Sequence, residues 1–329
     1  MPIDRGSAVG TRHSPGLPAP SPAELFRRET ALALFGVREI PGVGLSSGDG
    51  PSRLPCRAMR LQIIGGGKMG EALLGGLLQK NWAAATELAV IEAVPARRAE
   101  LAVAFPGVGL PETILPGIDA IVAVKPDAVV GVCQALGAAG VRRVLSIAAG
   151  VTIDRLERAL SSTAAVVRAM PNTPALVGLG AAAIAGGTHA GPDDRAWAEA
   201  ILSSVGTVEV LDEALLDAVT GLSGSGPAYV FLLAEALIAA GVAAGLPADV
   251  SVRLTEQTLL GASTLLAASA DPPEVLRRNV TSPGGTTAAG LAVFDAAGFG
   301  AIVTDVVLAA TARSRELGRV SIGGEGLST

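Results

Sequence analysis

Between Ala214 and Val252 the chain runs for 39 residues with three charged side chains, Asp217, Glu235 and Asp249, none of them basic. The segment is rich in Ala and Leu, which favours helix, and a helix that is apolar all round has to be buried on all sides. The C-terminal part of the chain, about 110 residues, has little interior in which to hide it. A second subunit is the natural cover; the competing arrangement is a central helix inside a monomeric bundle. A membrane is not an expected partner. The longest charge-free stretch, Ala169 to Pro192, is interrupted by Pro171, Pro174 and five glycines, whereas a spanning helix needs about 20 consecutive apolar residues.

Composition narrows the chemistry. The net charge is −5 and the aromatics are 6 Phe, 2 Trp and 1 Tyr, so the chain lacks both the basic footprint and the stacking platform of a nucleic-acid binder. The two cysteines, Cys56 and Cys133, show no CxxC or Cys/His metal spacing; a reduced compartment and no metal follow as expectations. His13 and His189 are the only histidines, which leaves few candidates for any mechanism built on a histidine cluster.

Residues 1 to 58 stand apart. Eight Pro, eight Gly and six Ser make 22 of these 58 residues, a composition that cannot bury enough surface to offset the entropy of ordering. A disordered extension is expected there, with a short helix near Glu24 to Phe35. Its seven arginines are balanced by five acids, unlike an acid-poor transit peptide, and it has no continuous apolar core of signal-peptide type; a cytoplasmic location is the expectation. Met59 directly precedes the first strand, so translation starting there is a second reading of the same segment.

From Arg60 short apolar runs alternate with helical ones. Leu61–Ile64, Leu88–Ile91, Ala120–Val124, Val144–Ala148, Val166–Ala169 and Ala181–Ala185 read as strands, and Glu71–Lys80, Pro95–Ala104 and Ile153–Leu160 as helices. Strands apolar on both faces that alternate with helices indicate a parallel sheet covered on both sides. The fold class is therefore α/β: a Rossmann-type, doubly wound parallel sheet over residues 59–212, followed by an all-α dimerisation domain over residues 213–329.

Ile64-Gly65-Gly66-Gly67-Lys68-Met69-Gly70 contains G-x-G-x-x-G at a strand-to-helix junction. Gly65 permits the tight turn, Gly67 removes the side chain where a pyrophosphate approaches, and Gly70 lets the helix pack closely on the strand. The helix start then offers free amides and a positive dipole end to phosphate. The acidic residue that completes such a fingerprint is Glu92, 22 residues beyond Gly70. Glu92 can accept from both ribose hydroxyls, which favours NAD. Arg97 and Arg98 can instead grip a 2′-phosphate, or simply form a solvated helix face.

A second constellation, Asn279-Val280-Thr281-Ser282-Pro283-Gly284-Gly285-Thr286-Thr287, leads into a predicted helix, Ala288–Phe294. Small residues and free amides at a helix start make an anion cradle. No Lys or Arg lies inside it, so a carboxylate is the natural guest. A helix cap formed by Ser282 or Thr286 would explain the hydroxyls but not the glycine pair.

These segments together resemble the pyrroline-5-carboxylate reductase family. The likeness is carried by IIGGGKMGEALLGGL (Ile63–Leu77), AVKP (Ala123–Pro126), SIAAGVTI (Ser146–Ile153), RAMPNTPALV (Arg168–Val177), DAVTGLSGSGPAY (Asp217–Tyr229) and VTSPGGTTAAGL (Val280–Leu291), in the family's order over about 260 residues. The last two are highly specific; the first is shared by many dehydrogenases. The resemblance implies a nicotinamide cofactor, NADP(H) with NAD(H) as the alternative, and an intertwined homodimer that assembles further into a decamer. It implies the small cyclic imine L-1-pyrroline-5-carboxylate as substrate. It places cofactor contacts on Ile64, Gly65, Gly66, Gly67, Lys68, Met69, Ala123, Val124, Lys125, Pro126 and Ala149, beside Glu92. Substrate contacts fall on Glu213, Asn279, Gly284, Gly285, Thr286 and Thr287, with Ser282 in the same loop and Thr287 as the catalytic hydroxyl near the imine nitrogen. Three positions depart from the family pattern: Lys68 replaces a neutral amide, Val94 replaces a frequent serine, and Glu92 is acidic where many relatives are neutral.

The residues agree with that chemistry. Hydride transfer to a C=N bond is supplied by the cofactor, and the basic imine nitrogen needs only a hydroxyl to orient or relay a proton. No histidine is required, and His189 reads as a surface residue. A β-hydroxyacid dehydrogenase would need a lysine in the helical domain, and none follows Lys125. Reduction of a related cyclic imino acid, and a dinucleotide-binding scaffold without turnover, remain as alternatives.

Overall fold

The computed structural model describes residues 59–320. The expected extension over residues 1–58, its short helix and Cys56 lie outside the described residues.

Seven strands form one sheet in the order β2-β1-β3-β4-β5-β6-β7. They are β1 (Leu61–Ile64), β2 (Leu88–Ile91), β3 (Ala120–Val122), β4 (Arg143–Ser146), β5 (Ala165–Met170), β6 (Gly180–Gly186) and β7 (Gly206–Val210). The helices between them are α1 (Lys68–Gln79), α2 (Pro95–Ala104), α3 (Val129–Ala138), α4 (Ile153–Leu160) and α5 (Pro192–Leu202). β1 to β5 are parallel, each pair joined through a crossover helix, as the alternating pattern predicts.

The reading of a wholly parallel sheet needs one correction: β6 runs antiparallel to β5. Only the single-turn helix Thr173–Val177 separates them, and a crossover needs a dozen or more residues, so the chain returns alongside β5 in the opposite sense. β7, absent from the expected strands, then pairs parallel to β6 as an edge strand whose side chains are largely exposed. That half-solvated register hides it from a search for continuous apolar runs.

Period-two alternation splits the sheet's side chains between two cores. Leu61, Ile63, Leu88, Val90, Ile121 and Leu145 pack with Leu73, Leu74 and Leu77 of α1 and Ile201 of α5 on one face. Ile64, Val122, Val144 and Val166 pack with Val129, Cys133 and Leu136 of α3 and Leu156 of α4 on the other. Each fully buried leucine contributes about 1.5–3 kcal/mol. Gln62 is the exception in β1: fully buried, its amide donates to the Leu115 and Ile118 carbonyls and accepts from the Leu115 N–H. Every polar atom is satisfied, which pins the loop before β3.

After β7 every element is helical: α6 (Leu216–Val219) with the π-turn Thr220–Gly224, α7 (Gly226–Ala243), α8 (Ala248–Ala268), α9 (Pro273–Asn279), α10 (Thr286–Ala296) and α11 (Phe299–Val320). α7, the core of the opening apolar segment, has no buried residue, and Phe231 and Leu232 are 63% and 65% exposed. This removes the monomeric-bundle arrangement, because a single chain leaves the helix uncovered. The 31-residue run 213–243 is also long and apolar enough to cross a membrane by length and composition alone. A search for charge-free stretches passes over it because Glu213, Asp217 and Glu235 punctuate it.

Cys133 is a buried free thiol, and burial pushes it up to about 11. It therefore stays protonated through neutral pH. In a Cys56→Ser background, native protein should resist iodoacetamide at about pH 8 and react after unfolding in urea, read by intact mass. Stability should also fall as the pH is raised past about 9, because the unfolded thiol ionises first.

Candidate active site

The glycine motif divides its work as its spacing predicts. Gly65 turns the chain at φ +104°, and a Cβ there would lie 2.6 Å from the Ala123 carbonyl oxygen. A Cβ at Gly70 would lie 2.1 Å from the Gly65 carbonyl oxygen, so only glycine lets α1 sit so close to the turn. At Gly67 a Cβ would meet nothing within 4 Å: this position is open towards the cleft. Gly67 is the N-cap of α1 and no side chain caps the helix, which leaves the amides of its first turn for a ligand.

The cleft above them has a volume of about 920 Å³. It lies at the carboxyl ends of β1, β2 and β3, where the strand order reverses on either side of β1, the position at which open α/β sheets bind ligands. Of the predicted cofactor residues, Ile64, Gly65, Gly67, Glu92, Ala123, Val124 and Lys125 line it. Gly66 is buried behind the turn, Lys68 is exposed at the start of α1, and Met69 packs against the core. Pro126 opens a short 3-10 turn after β3, and Ala149 sits in an exposed turn beyond β4.

Glu92 is tied down by backbone. Its Oε2 accepts from the Gly66 N–H and its Oε1 from the Val94 N–H, both at 2.8 Å. Arg97 is engaged by partners within the protein. Its Nε donates to the Gly66 carbonyl at 2.8 Å, while its terminal nitrogens pair with Glu100 and Glu71. The hydrogen bonds to Glu100 and Glu71 hold the guanidinium above its ordinary pKa. Arg98 pairs with Glu112 at 3.1 Å. Among the described residues, the cations beside the motif without a hydrogen-bond or ion-pair partner are Lys68 and Lys125.

The second constellation forms a turn between α9 and α10. Gly284 adopts φ +69° and the Gly285 N–H donates to the Ser282 carbonyl. Gly285 is the N-cap of α10 with no side-chain cap, so the capping role considered for Ser282 and Thr286 is not taken up. Asn279, Ser282, Thr286 and Thr287 have no side-chain partner among the described residues. An uncapped helix start surrounded by unpaired hydroxyls is suited to a carboxylate. No residue beyond Ala139 lines the 920 Å³ cleft, so one chain does not join this loop to it.

Glu213 belongs to neither half. Its Oε1 accepts from the Ile153 N–H at 2.7 Å and from Arg168, a buried residue of β5, at 2.8 Å. It thereby ties the start of the helical region to the sheet. Asn172, inside RAMPNTPALV but not among the expected site residues, forms a second tie: it donates to the Ser223 carbonyl and accepts from the Ala181 N–H. His189 is exposed between β6 and α5, as expected.

Residues 213–317 match the family model for pyrroline-5-carboxylate reductase dimerisation, and residues 60–150 match that for NADP oxidoreductase coenzyme F420-dependent. Pyrroline-5-carboxylate reductase from Synechocystis is 43% identical over 266 residues, covering 80% of this chain and 99% of that protein. The chain belongs to the pyrroline-5-carboxylate reductase family. The Arabidopsis thaliana member is 37% identical, covering 80% of this chain and 97% of its own. Among solved structures, the Coxiella burnetii reductase aligns with a TM-score of 0.74 at 32% identity, covering 79% of this chain and 99% of that one. The Plasmodium falciparum reductase with NADP bound aligns at 0.70 and 30%, covering 79% and 98%. Membership of this family accounts for the uncovered α7: its surface belongs to an oligomer-forming domain.

The glycine geometry separates binding from packing. Gly67→Ala should weaken nicotinamide dinucleotide binding about 10-fold with an unchanged melting temperature. Gly70→Ala should instead destabilise the fold by about 1–3 kcal/mol through overpacking. Calorimetric titration and thermal melts on the two variants check both.

Proposed function

We propose that this chain reduces the C=N bond of L-1-pyrroline-5-carboxylate to give L-proline, the last step of proline synthesis, in the cytoplasm. The observation that carries the reading is the uncapped start of α10, where Gly284, Gly285 and the unpaired side chains of Asn279, Ser282, Thr286 and Thr287 offer a carboxylate site without a basic residue. Such a guest must be a small acid whose reacting bond is reduced by a cofactor held elsewhere. The bound nicotinamide dinucleotide supplies the hydride.

On this reading residues 59–212 hold the dinucleotide and residues 213–329 hold the substrate and build the dimer. The amides at the start of α1 bind the pyrophosphate, and Lys68 and Lys125 supply the positive charge beside it. The amides of Thr286 and Thr287 hold the substrate carboxylate, and the Thr287 hydroxyl orients the imine nitrogen and relays its proton. The loop and the cleft do not share a cavity within one chain, and the helices carrying the loop expose apolar faces. Assembly of a homodimer is therefore the step that completes the site; further assembly of dimers into a decamer is what the family resemblance implies. Both NADP(H) and NAD(H) fit the cleft's amides. The choice between them is set near Glu92, whose charge would repel a 2′-phosphate.

A steady-state assay with pyrroline-5-carboxylate and each nicotinamide tests reaction, substrate and cofactor together; turnover only of a six-membered cyclic imino acid would move the reading to that relative. Thr287→Ala should lower kcat/KM roughly 10- to 1,000-fold, about 1.4 to 4 kcal/mol for a positioned donor. Unchanged kinetics would take Thr287 out of the mechanism. Glu92→Ala should move the NADPH/NADH ratio of kcat/KM towards NADPH by about 10-fold, with some loss for both cofactors because the Gly66 and Val94 amides lose their acceptor. A constant ratio would place Glu92 outside the ribose pocket.

A further inference from the structure

The peptide units flanking Gly66 are held from both sides by side chains that follow β2. The Gly66 N–H donates to Glu92, and the Gly66 carbonyl accepts from Arg97 at 2.8 Å. A Cβ at residue 66 would lie 2.5 Å from Leu101 Cδ1 and 3.3 Å from Glu92 Oε2, so the loop is pressed against α2 as well as hydrogen-bonded to it. The next amides along the chain, those of Gly67, Lys68 and Met69, open α1, whose start has no side-chain cap. Arg97 also neutralises Glu71, a carboxylate in the first turn of α1 where phosphate would otherwise meet a negative charge.

Resting on the dinucleotide reading of the cleft, we propose that Arg97 is a positioning residue for the glycine-rich loop: it fixes the Gly66 carbonyl and cancels the charge of Glu71, and it is not a ligand of the 2′-phosphate. Its guanidinium has donors committed to Gly66, Glu71 and Glu100. Arg98 is committed in the same way to Glu112, which lines the cleft. Nε and both terminal nitrogens of Arg97 are each engaged, so three of its five N–H groups are taken and the plane of the guanidinium is set by Gly66, Glu71 and Glu100 rather than by a ligand. Its effect on the cofactor passes through the loop, and the loop touches the pyrophosphate common to NADH and NADPH.

The signature is therefore a loss that ignores the 2′-phosphate. Arg97→Met should raise Kd for NAD⁺ and NADP⁺, measured by calorimetric titration, and KM for both reduced cofactors, by the same factor of about 10. The NADPH/NADH ratio should not move, and kcat should change far less than KM. Arg97→Lys, which restores one donor and the charge, should recover part of the affinity. Adenosine 2′,5′-bisphosphate and ADP should weaken in parallel. Glu71→Gln keeps the Arg97 contact to Gly66 and serves where Arg97→Met fails to fold; it should change both affinities by one common factor. A loss confined to NADP⁺ and adenosine 2′,5′-bisphosphate would overturn the proposal, because Arg97 would then be the phosphate grip. Unchanged affinity for both cofactors in a folded Arg97→Met protein would overturn it too. Wild-type protein that binds neither dinucleotide would instead remove the reading of the cleft itself.

Discussion

Helices α7 to α11 carry more apolar surface than one copy of the chain can bury. Val230, Phe231, Leu232, Leu254, Leu265, Val293, Ile302 and Leu308 are all 49% exposed or more, and covering each contributes part of the ~1.5–3 kcal/mol of a full burial. Summed over the region, that is of the same order as the roughly 4–15 kcal/mol cost of bringing two chains together. The helical region is thus suited to burial against another copy of the chain, and its family model is that of dimerisation. The loop at the start of α10 stands on these same helices, between α9 and α10.

The sheet has the opposite character. Its two cores close within one chain, and the helical region is attached to it through polar ties and close backbone approaches. Glu213 joins Arg168 and the start of α4, and Asn172 joins Ser223 to β6; within the helical region, Ser314 of α11 donates to Asp217 of α6 at 2.6 Å. A Cβ at Gly221 would lie 2.3 Å from Thr311 Oγ1 and one at Gly224 would lie 2.5 Å from Met170 Cε. Gly221 and Gly224 therefore serve packing of the π-turn against α11 and β5. A buried ion pair such as Arg168–Glu213 adds little net stability, yet losing one partner strands a charge. Ties of this kind specify where the helical region leaves the sheet, and that fixes which way its apolar faces point.

What could be read from the chain was what local chemistry determines. Backbone sterics act within a few residues, so the turn at Gly65 and the close packing at Gly70 were legible, and Gly67 is open as its spacing implies. Pro95–Ala104 and Ile153–Leu160 are helices to the residue, since a proline at the first position and a threonine N-cap mark their starts. The reversal at β6 was hidden because it depends on the absence of a crossover, and β7 because an edge strand with exposed side chains lacks a continuous apolar run. The partners of Arg97 and Glu213 were out of reach for another reason. Gly66 lies 31 residues before Arg97, and Arg168 lies 45 residues before Glu213; only the assembled sheet determines which of several carboxylates or carbonyls each side chain meets.

The scarcity of histidine acquires its meaning from the same separation of tasks. The glycine loop at the start of α1 and the turn at the start of α10 both present helix amides with no side-chain cap. Those donors do not titrate and need no side-chain pKa to be tuned. Charge near the cofactor is instead managed by pairing: Glu71 and Glu100 with Arg97, and Glu112 with Arg98. This leaves Lys68 and Lys125 as unpaired cations and Glu92 as an acid satisfied only by amides. With Arg97 and Arg98 paired inside the protein, Glu92 stands in the cleft just after β2 with both its oxygens on backbone amides, the position at which the dinucleotide fingerprint has its acidic residue.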